Sequence, residues 1–238
     1  MKAEKHCVRY GSHIIWFGVI RRHRRTLEIA VEPDASVQVT APMGAAPDDI
    51  NAKVRKRAAW ILRQQRFFTQ FLPRTPERRY LPGETHLYLG RQHRLKIERG
   101  EQEGVKVARG LLHVVTRQPA NREVIASLVE GWYRERAHTK FAERLEVNLD
   151  RFADAGAYRP KGLIIRKIKQ RWGSMSPAGR LLLNLRLIEA PTNAIDYVIT
   201  HELCHMTEPN HGAKFFALLT QVLPDWRKRK ERLERLMA

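Results

Sequence analysis

The sequence predicts an α+β protein of two parts: an antiparallel, β-rich N-terminal part with one inserted helix, over residues 1–118, and a more helical part over 119–238. Three observations carry this. Short runs rich in β-branched residues fill much of the stretch from Val8 to Thr116. From Asn121 onward apolar residues recur at helical spacing. Between the two, Gln118-Pro119-Ala120 is a break that neither a strand nor a helix continues through readily.

The elements follow in order. His13–Ile20, Leu27–Val31 and Val37–Thr40 read as strands of an antiparallel sheet, separated by a basic turn and by Glu32-Pro33-Asp34. Pro47, Asp48 and Asp49 open a helix, since proline suits the first helical position and acids suit the positive end of the helix dipole. Ile50, Val54, Ile61 and Leu62 give its buried face. Leu72 to Pro82 reads as a loop, and two hairpins follow, turning at Gly90-Arg91 and at Arg109-Gly110. Asn121 caps a long helix whose apolar positions Val124, Ile125, Leu128, Val129, Trp132, Phe141 and Leu145 keep helical spacing. Leu163–Ile168 and Leu181–Ile188 read as strands joined by a turn containing Trp172-Gly173-Ser174. A helix capped by Thr192 or Asn193 then runs to Pro209, a further one begins at Asn210-His211, and a last one spans Trp226 to Leu236. The sequence shows no internal repeat.

Composition bounds the setting. The chain has 238 residues, with 44 Lys+Arg against 25 Asp+Glu, a net charge of +19. That field attracts polyanions or acidic partners. Cys7 and Cys204 are the only cysteines, so no disulfide framework exists and a reducing, cytoplasmic setting is expected. Ile14–Ile20 is too short to span a bilayer, and Arg21-Arg22-His23-Arg24-Arg25 follows where a signal peptide would carry its cleavage site. No membrane association is expected.

The chemistry concentrates at His201-Glu202-Leu203-Cys204-His205, followed by His211. Positions four apart on a helix share a face, about 5–6 Å apart at Cβ, so His201 and His205 can present two imidazole nitrogens to one ion. A catalytic zinc takes three protein ligands and keeps one position open. His211 is the candidate third ligand; Glu208 and Glu231 are its rivals. Glu202, one helical step from His201, suits the general base that activates water in metal-assisted hydrolysis. Asn184 and Arg186, on the strand before this helix, with Trp172 in the preceding turn and Tyr197 one helical turn before His201, are candidate substrate contacts. Cys204 reads as a small buried hydrophobe, and His86, His93, His113 and His138 lack partners at ligand spacing.

From Arg171-Trp172-Gly173-Ser174, through Asn184-Leu185-Arg186-Leu187-Ile188 and His201-Glu202-Leu203-Cys204-His205, to Asn210-His211 and Phe215-Phe216, the chain resembles the YgjP-like zinc metallopeptidases, which are related to the WLM and SprT-type peptidases. The resemblance is close over residues 160–220 and looser elsewhere. Met175 stands where that family usually has Cys, and Phe216 where Trp is common. It implies a zincin-like subdomain over 119–238, a bound Zn²⁺, and hydrolysis of a protein or peptide substrate, in endopeptidase mode. Two other readings compete: a nucleic-acid-binding protein with a structural zinc, and a peptidase recruited to DNA.

Overall fold

Alternation of apolar and polar side chains builds the first sheet. In β2 (His13–Arg22), Ile15, Phe17 and Val19 point to one face and are buried, while Ile14 and Trp16 point to the other and are exposed. The same period runs through β4 (Val37–Pro42), where Val37, Val39 and Ala41 are buried. The computed structural model describes residues 4–32, 34–69, 78–168 and 171–237. They form two compact units, one within residues 4–69 and the other within 78–237.

In the first unit β1 (Glu4–Tyr10) and β3 (Glu28–Val31) complete a sheet of order β1-β2-β4-β3. Helix α1 (Pro47–Thr69) lays Ile50, Val54, Ala58 and Ile61 on its inner face, against Val8, Ile15, Phe17, Val19, Val37 and Val39. The sheet is not purely antiparallel as expected. β3 goes to the outer edge and β4 returns between it and β2, so that β2 and β4 pair in parallel.

The second unit begins with the same topology. β5 (Thr85–Tyr88), β6 (Arg91–Arg99), β7 (Gly104–Ala108) and β8 (Leu111–Thr116) form a sheet of order β5-β6-β8-β7, again with its inner pair, β6 and β8, parallel. A helix follows in each case, here α2 (Arg122–Leu149), whose Asn121 side chain accepts from the amides of Glu123 and Val124. The chain therefore repeats a four-strand-plus-helix plan that its sequence does not betray. Leu95, Leu112 and Val114 of this sheet share one core with Ile125, Val129, Trp132 and Phe141 of α2. That shared core is why the compact units divide between residues 69 and 78, and not at the expected boundary of 118/119.

The rest of the second unit holds the candidate site. A three-stranded sheet of order β10-β11-β9 comprises β9 (Gly162–Arg166), β10 (Gly173–Met175) and β11 (Arg180–Asn184), with β10 at an edge. The strand expected to reach Ile188 stops at Asn184, whose side chain accepts from the Arg186 amide and starts a 3-10 helix over Leu185–Glu189. Helix α3 (Thr192–Cys204) follows, then α4 (Ala213–Val222) and α5 (Trp226–Met237). Pro191, not Thr192 or Asn193, occupies the α3 N-cap, without a side-chain cap. Most of the loop expected over Leu72–Pro82 lies outside the described residues. Among the described residues no helix is long and apolar enough to cross a membrane.

α3 is fixed from behind by a polar network. Asp196 takes a bidentate pair from Arg144 of α2, Nε at 2.7 Å and Nη2 at 3.0 Å, and a hydrogen bond from Asn148 at 3.0 Å. Asn148 in turn accepts from the Thr200 hydroxyl at 3.0 Å, and Arg229 of α5 approaches Asp196 at 3.5 Å. From the front, the β5–β6 hairpin clips the approach to α3. The Leu89 and Gly90 amides donate to the carbonyls of Ile188 (3.0 Å) and Glu189 (2.9 Å).

Candidate metal centre

Because α3 is fixed on both sides, the last turn of that helix holds its side chains in one place. His201 projects from it, and His205 is its C-cap with helical dihedrals, φ −68° and ψ −10°, which preserves the i, i+4 relation. His211 lies in the loop before Gly212, the N-cap of α4, and not in a helix of its own. The turn after Pro209 still brings it back. Its Nε2 stands 3.0 Å from His201 Nε2 and 3.1 Å from His205 Nε2.

Those spacings are close to what a shared metal needs, and hydrogen bonds alone cannot account for both of them. His205 Nδ1 lies 3.0 Å from the Glu208 carbonyl, which can only accept, so Nδ1 holds the proton and Nε2 presents a bare lone pair. One His211 N–H could serve only one of its two neighbours. Three nitrogens at about 2.0–2.1 Å from one tetrahedral ion would be about 3.3 Å apart. Burial first, and then the neighbouring His205 and His211 rings, push the His201 pKa down to about 3. Burial, followed by His205, also lowers that of His211. Both rings are thus kept neutral, as metal ligation requires.

Phe215 of α4, fully buried, sets the three rings from below. Its centroid lies 4.9 Å from His201, 4.6 Å from His205 and 4.7 Å from His211. Sequence periodicity marks Phe215 only as a core position; nothing in the pattern singles it out as the floor of the triad.

The rivals for the third position do not take it. The Glu231 carboxylate pairs with Arg235 at 2.6 Å, and among the described residues the Glu208 carboxylate does not join the cluster that His201, His205 and His211 form. Among the described residues no fourth side chain joins the three histidines, whereas a closed structural zinc site would need one. Cys204 is fully buried, and burial pushes its thiol up to about 12, so it packs as a neutral hydrophobe.

Glu202 projects into a cleft of about 960 Å³ that the three histidines also line. Burial pushes its carboxyl up to about 7, opposed by a hydrogen bond from the Met175 amide and by the charge of Arg171. β10 presses against it: a Cβ on Gly173 would fall 2.9 Å from Glu202 Cγ and 3.1 Å from both its Oε1 and Val198 Cγ1. Trp172 and Tyr197 line the same cleft. The Tyr197 ring meets the His201 ring edge-on at 5.7 Å, and burial raises its phenol pKa, so the hydroxyl keeps its proton.

Asn184 and Arg186 are not brought to the cleft. The Asn184 side chain is buried and spent on backbone, donating to the carbonyls of Ile168 (2.7 Å) and Arg171 (3.0 Å). It holds Arg171, the residue before Trp172, and so positions the cleft wall without lining the cleft. Arg186 is exposed on the 3-10 helix, beyond the end of the strand on which it was expected to face the substrate. Sequence reasoning missed Lys230 and Glu234 of α5, which line the cleft 3.7 Å from one another. Their helix reads as a solvated basic face, and no local pattern marks it as a wall.

No curated protein and no solved structure matches the chain. A family model described as YgjP-like, metallopeptidase domain, matches residues 25–236, which takes in the helix with its histidines, the Trp172-Gly173-Ser174 segment and both sheets of the second unit. By that match the chain belongs to the YgjP-like metallopeptidase family.

Proposed function

We propose that the chain is a zinc-dependent endopeptidase in which His201, His205 and His211 hold the metal and Glu202 is the general base. The convergence of three Nε2 atoms beside a buried carboxylate, in one open cleft, carries this reading. Three imidazole ligands favour zinc over magnesium or calcium, which prefer oxygen. Bound there, zinc would act as a Lewis acid toward a substrate carbonyl and acidify a water.

The chain's own residues do the rest. Glu202 takes the proton from the attacking water and returns it to the departing amine nitrogen. Tyr197, protonated and on the same wall, donates a hydrogen bond to the carbonyl oxygen as negative charge develops there. β10 offers an unpaired edge, and an extended peptide added to it would run past Glu202 with residues on both sides of the scissile bond. Arg171, whose carbonyl accepts a hydrogen bond from the Asn184 side chain, and Trp172 shape that wall.

Zinc content by plasma mass spectrometry and cleavage of a quenched peptide library test the reading together. Glu202→Gln should keep its zinc and lose hydrolysis by about 10²- to 10⁴-fold. His211→Ala should lose most of its zinc. Full zinc in His211→Ala would move the third ligand elsewhere, and undiminished cleavage by Glu202→Gln would overturn its role.

A further inference from the structure

The first unit carries a sheet face that the peptidase chemistry does not use. Its inner face is covered by α1, but on its outer face Trp16 is 63% exposed and Ile14 51%. The strand register fixes what surrounds them: Cys7 lies across from Trp16, Arg9 across from Ile14 and Lys5 across from Gly18. Arg22 ends the same outward row of β2, in which alternate residues are about 6.8 Å apart. The side chains of Lys5, Arg9 and Arg22 are exposed and have no hydrogen bond or ion pair among the described residues, and Trp16 stacks on no ring there. Glu28, the acid at the far edge of this face, is already paired with Arg24 at 2.6 Å.

The second unit provides an internal comparison. Its first sheet has the same strand order and the same helix behind it, yet the outward row of β6 is Gln92, Arg94, Lys96 and Glu98, with Lys96 and Glu98 paired at 2.7 Å. That is how this architecture meets water when nothing else is asked of it. The corresponding row of β2 reads Ile14, Trp16, Gly18, Ile20 and Arg22.

We propose that the outer face of the β1-β2-β4-β3 sheet binds a single strand of nucleic acid, with the Trp16 indole stacking on a base and Lys5, Arg9 and Arg22 contacting phosphates. Exposed aromatic rings ringed by cations are the two elements of sequence-tolerant single-strand binding. A duplex hides its base faces and cannot use the indole. A bilayer draws its apolar side chains together beyond the charges, whereas here cations flank the apolar row at both ends. The inference is independent of the metal centre and stands or falls without it.

Fluorescence anisotropy of a labelled 20-nucleotide single strand, as oligouridine RNA and as oligothymidine DNA, tests it between 50 and 200 mM NaCl against a duplex of equal length. The single strands should bind more tightly than the duplex. Trp16→Ala should weaken binding about tenfold or more at every salt concentration without changing the salt slope, because stacking releases no counterions. Trp16→Phe should restore much of that loss. Lys5→Gln with Arg9→Gln and Arg22→Gln should flatten the slope of log affinity against log salt by about 2, at about 0.7 for each phosphate no longer neutralised. All four side chains are exposed, so these variants should fold, and unchanged zinc content and circular dichroism check it. Equal binding by wild type and Trp16→Ala, or none by wild type at 50 mM salt, would overturn the proposal. So would a Trp16-dependent dimer in sedimentation velocity, or Trp16-dependent binding to phosphatidylglycerol vesicles, by a protein that ignores the oligonucleotides.

Discussion

Removing the Asp196 carboxylate should loosen the helix that presents His201 and His205. Asp196→Ala strips Arg144 of a bidentate partner at 2.7 and 3.0 Å, takes an acceptor from Asn148, and leaves Arg229 facing a void. The side chains of Arg144 and Arg229 are only 16% and 17% exposed, so water replaces the lost partner poorly. Breaking such a buried pair costs about 3–5 kcal/mol. The lower end applies here, since Glu143 lies 3.9 Å from Arg144 and Asp225 holds Arg229 at 2.8 Å. For a unit of this size, about 3 kcal/mol corresponds to a fall in Tm of roughly 6–12 °C. Scanning calorimetry of the metal-free protein measures it, and a double-mutant cycle with Arg144→Ala isolates the pair. A coupling energy below about 0.5 kcal/mol, or a Tm within 2 °C or so of wild type, would show that the network does not hold the helix.

Three further outcomes follow from the site and its surroundings. Gly173→Ala should push Glu202 by several tenths of an ångström and lower kcat by about 10- to 100-fold with zinc content unchanged, as read by steady-state cleavage and metal analysis. Phe215→Leu removes the ring beneath all three histidines and should weaken zinc binding by about 10- to 100-fold, measured by competition with a chelating dye. His86 is buried beside Arg78, and burial pushes its pKa down to about 4, so between pH 6.5 and 4 the unfolded chain binds the proton and the folded one does not. Stability is therefore lost as pH falls through that window, by on the order of 3 kcal/mol from this group. Urea unfolding at pH 7 and at pH 4.5 should show His86→Leu losing less than wild type.

The parts of the fold that local pattern determines were legible. Asn121 announced α2 because a short polar side chain before an apolar period of 3.6 has one strong use, and the two histidines four apart could only share a face. Long-range pairing was not. An alternating strand looks the same whether its neighbour runs parallel or antiparallel, so the β2–β4 and β6–β8 pairs had no local signature. Asp196 has no local pattern that marks its role, because its partner Arg144 lies 52 residues away. Asn184 misled for a related reason: a polar residue alternating with leucines reads as an outward strand position until the backbone it satisfies is seen.

Two hairpin turns have nearly the same backbone and opposite tolerance to change. Leu89-Gly90 has φ values of 49° and 77°, and Arg109-Gly110 has 49° and 76°. A Cβ on Gly110 would meet nothing within 4 Å, so the tip of β7–β8 is a place where a tag, a permuted terminus or a few inserted residues can be accommodated. A Cβ on Gly90 would sit 2.7 Å from Pro191 Cγ, at the very start of the histidine-bearing helix. An insertion there would act as a wedge, lengthening a turn whose amides dock residues nearly a hundred positions further along the chain. Of two turns that any sequence comparison would treat alike, one is a splice point and the other a hinge pin for the metal centre.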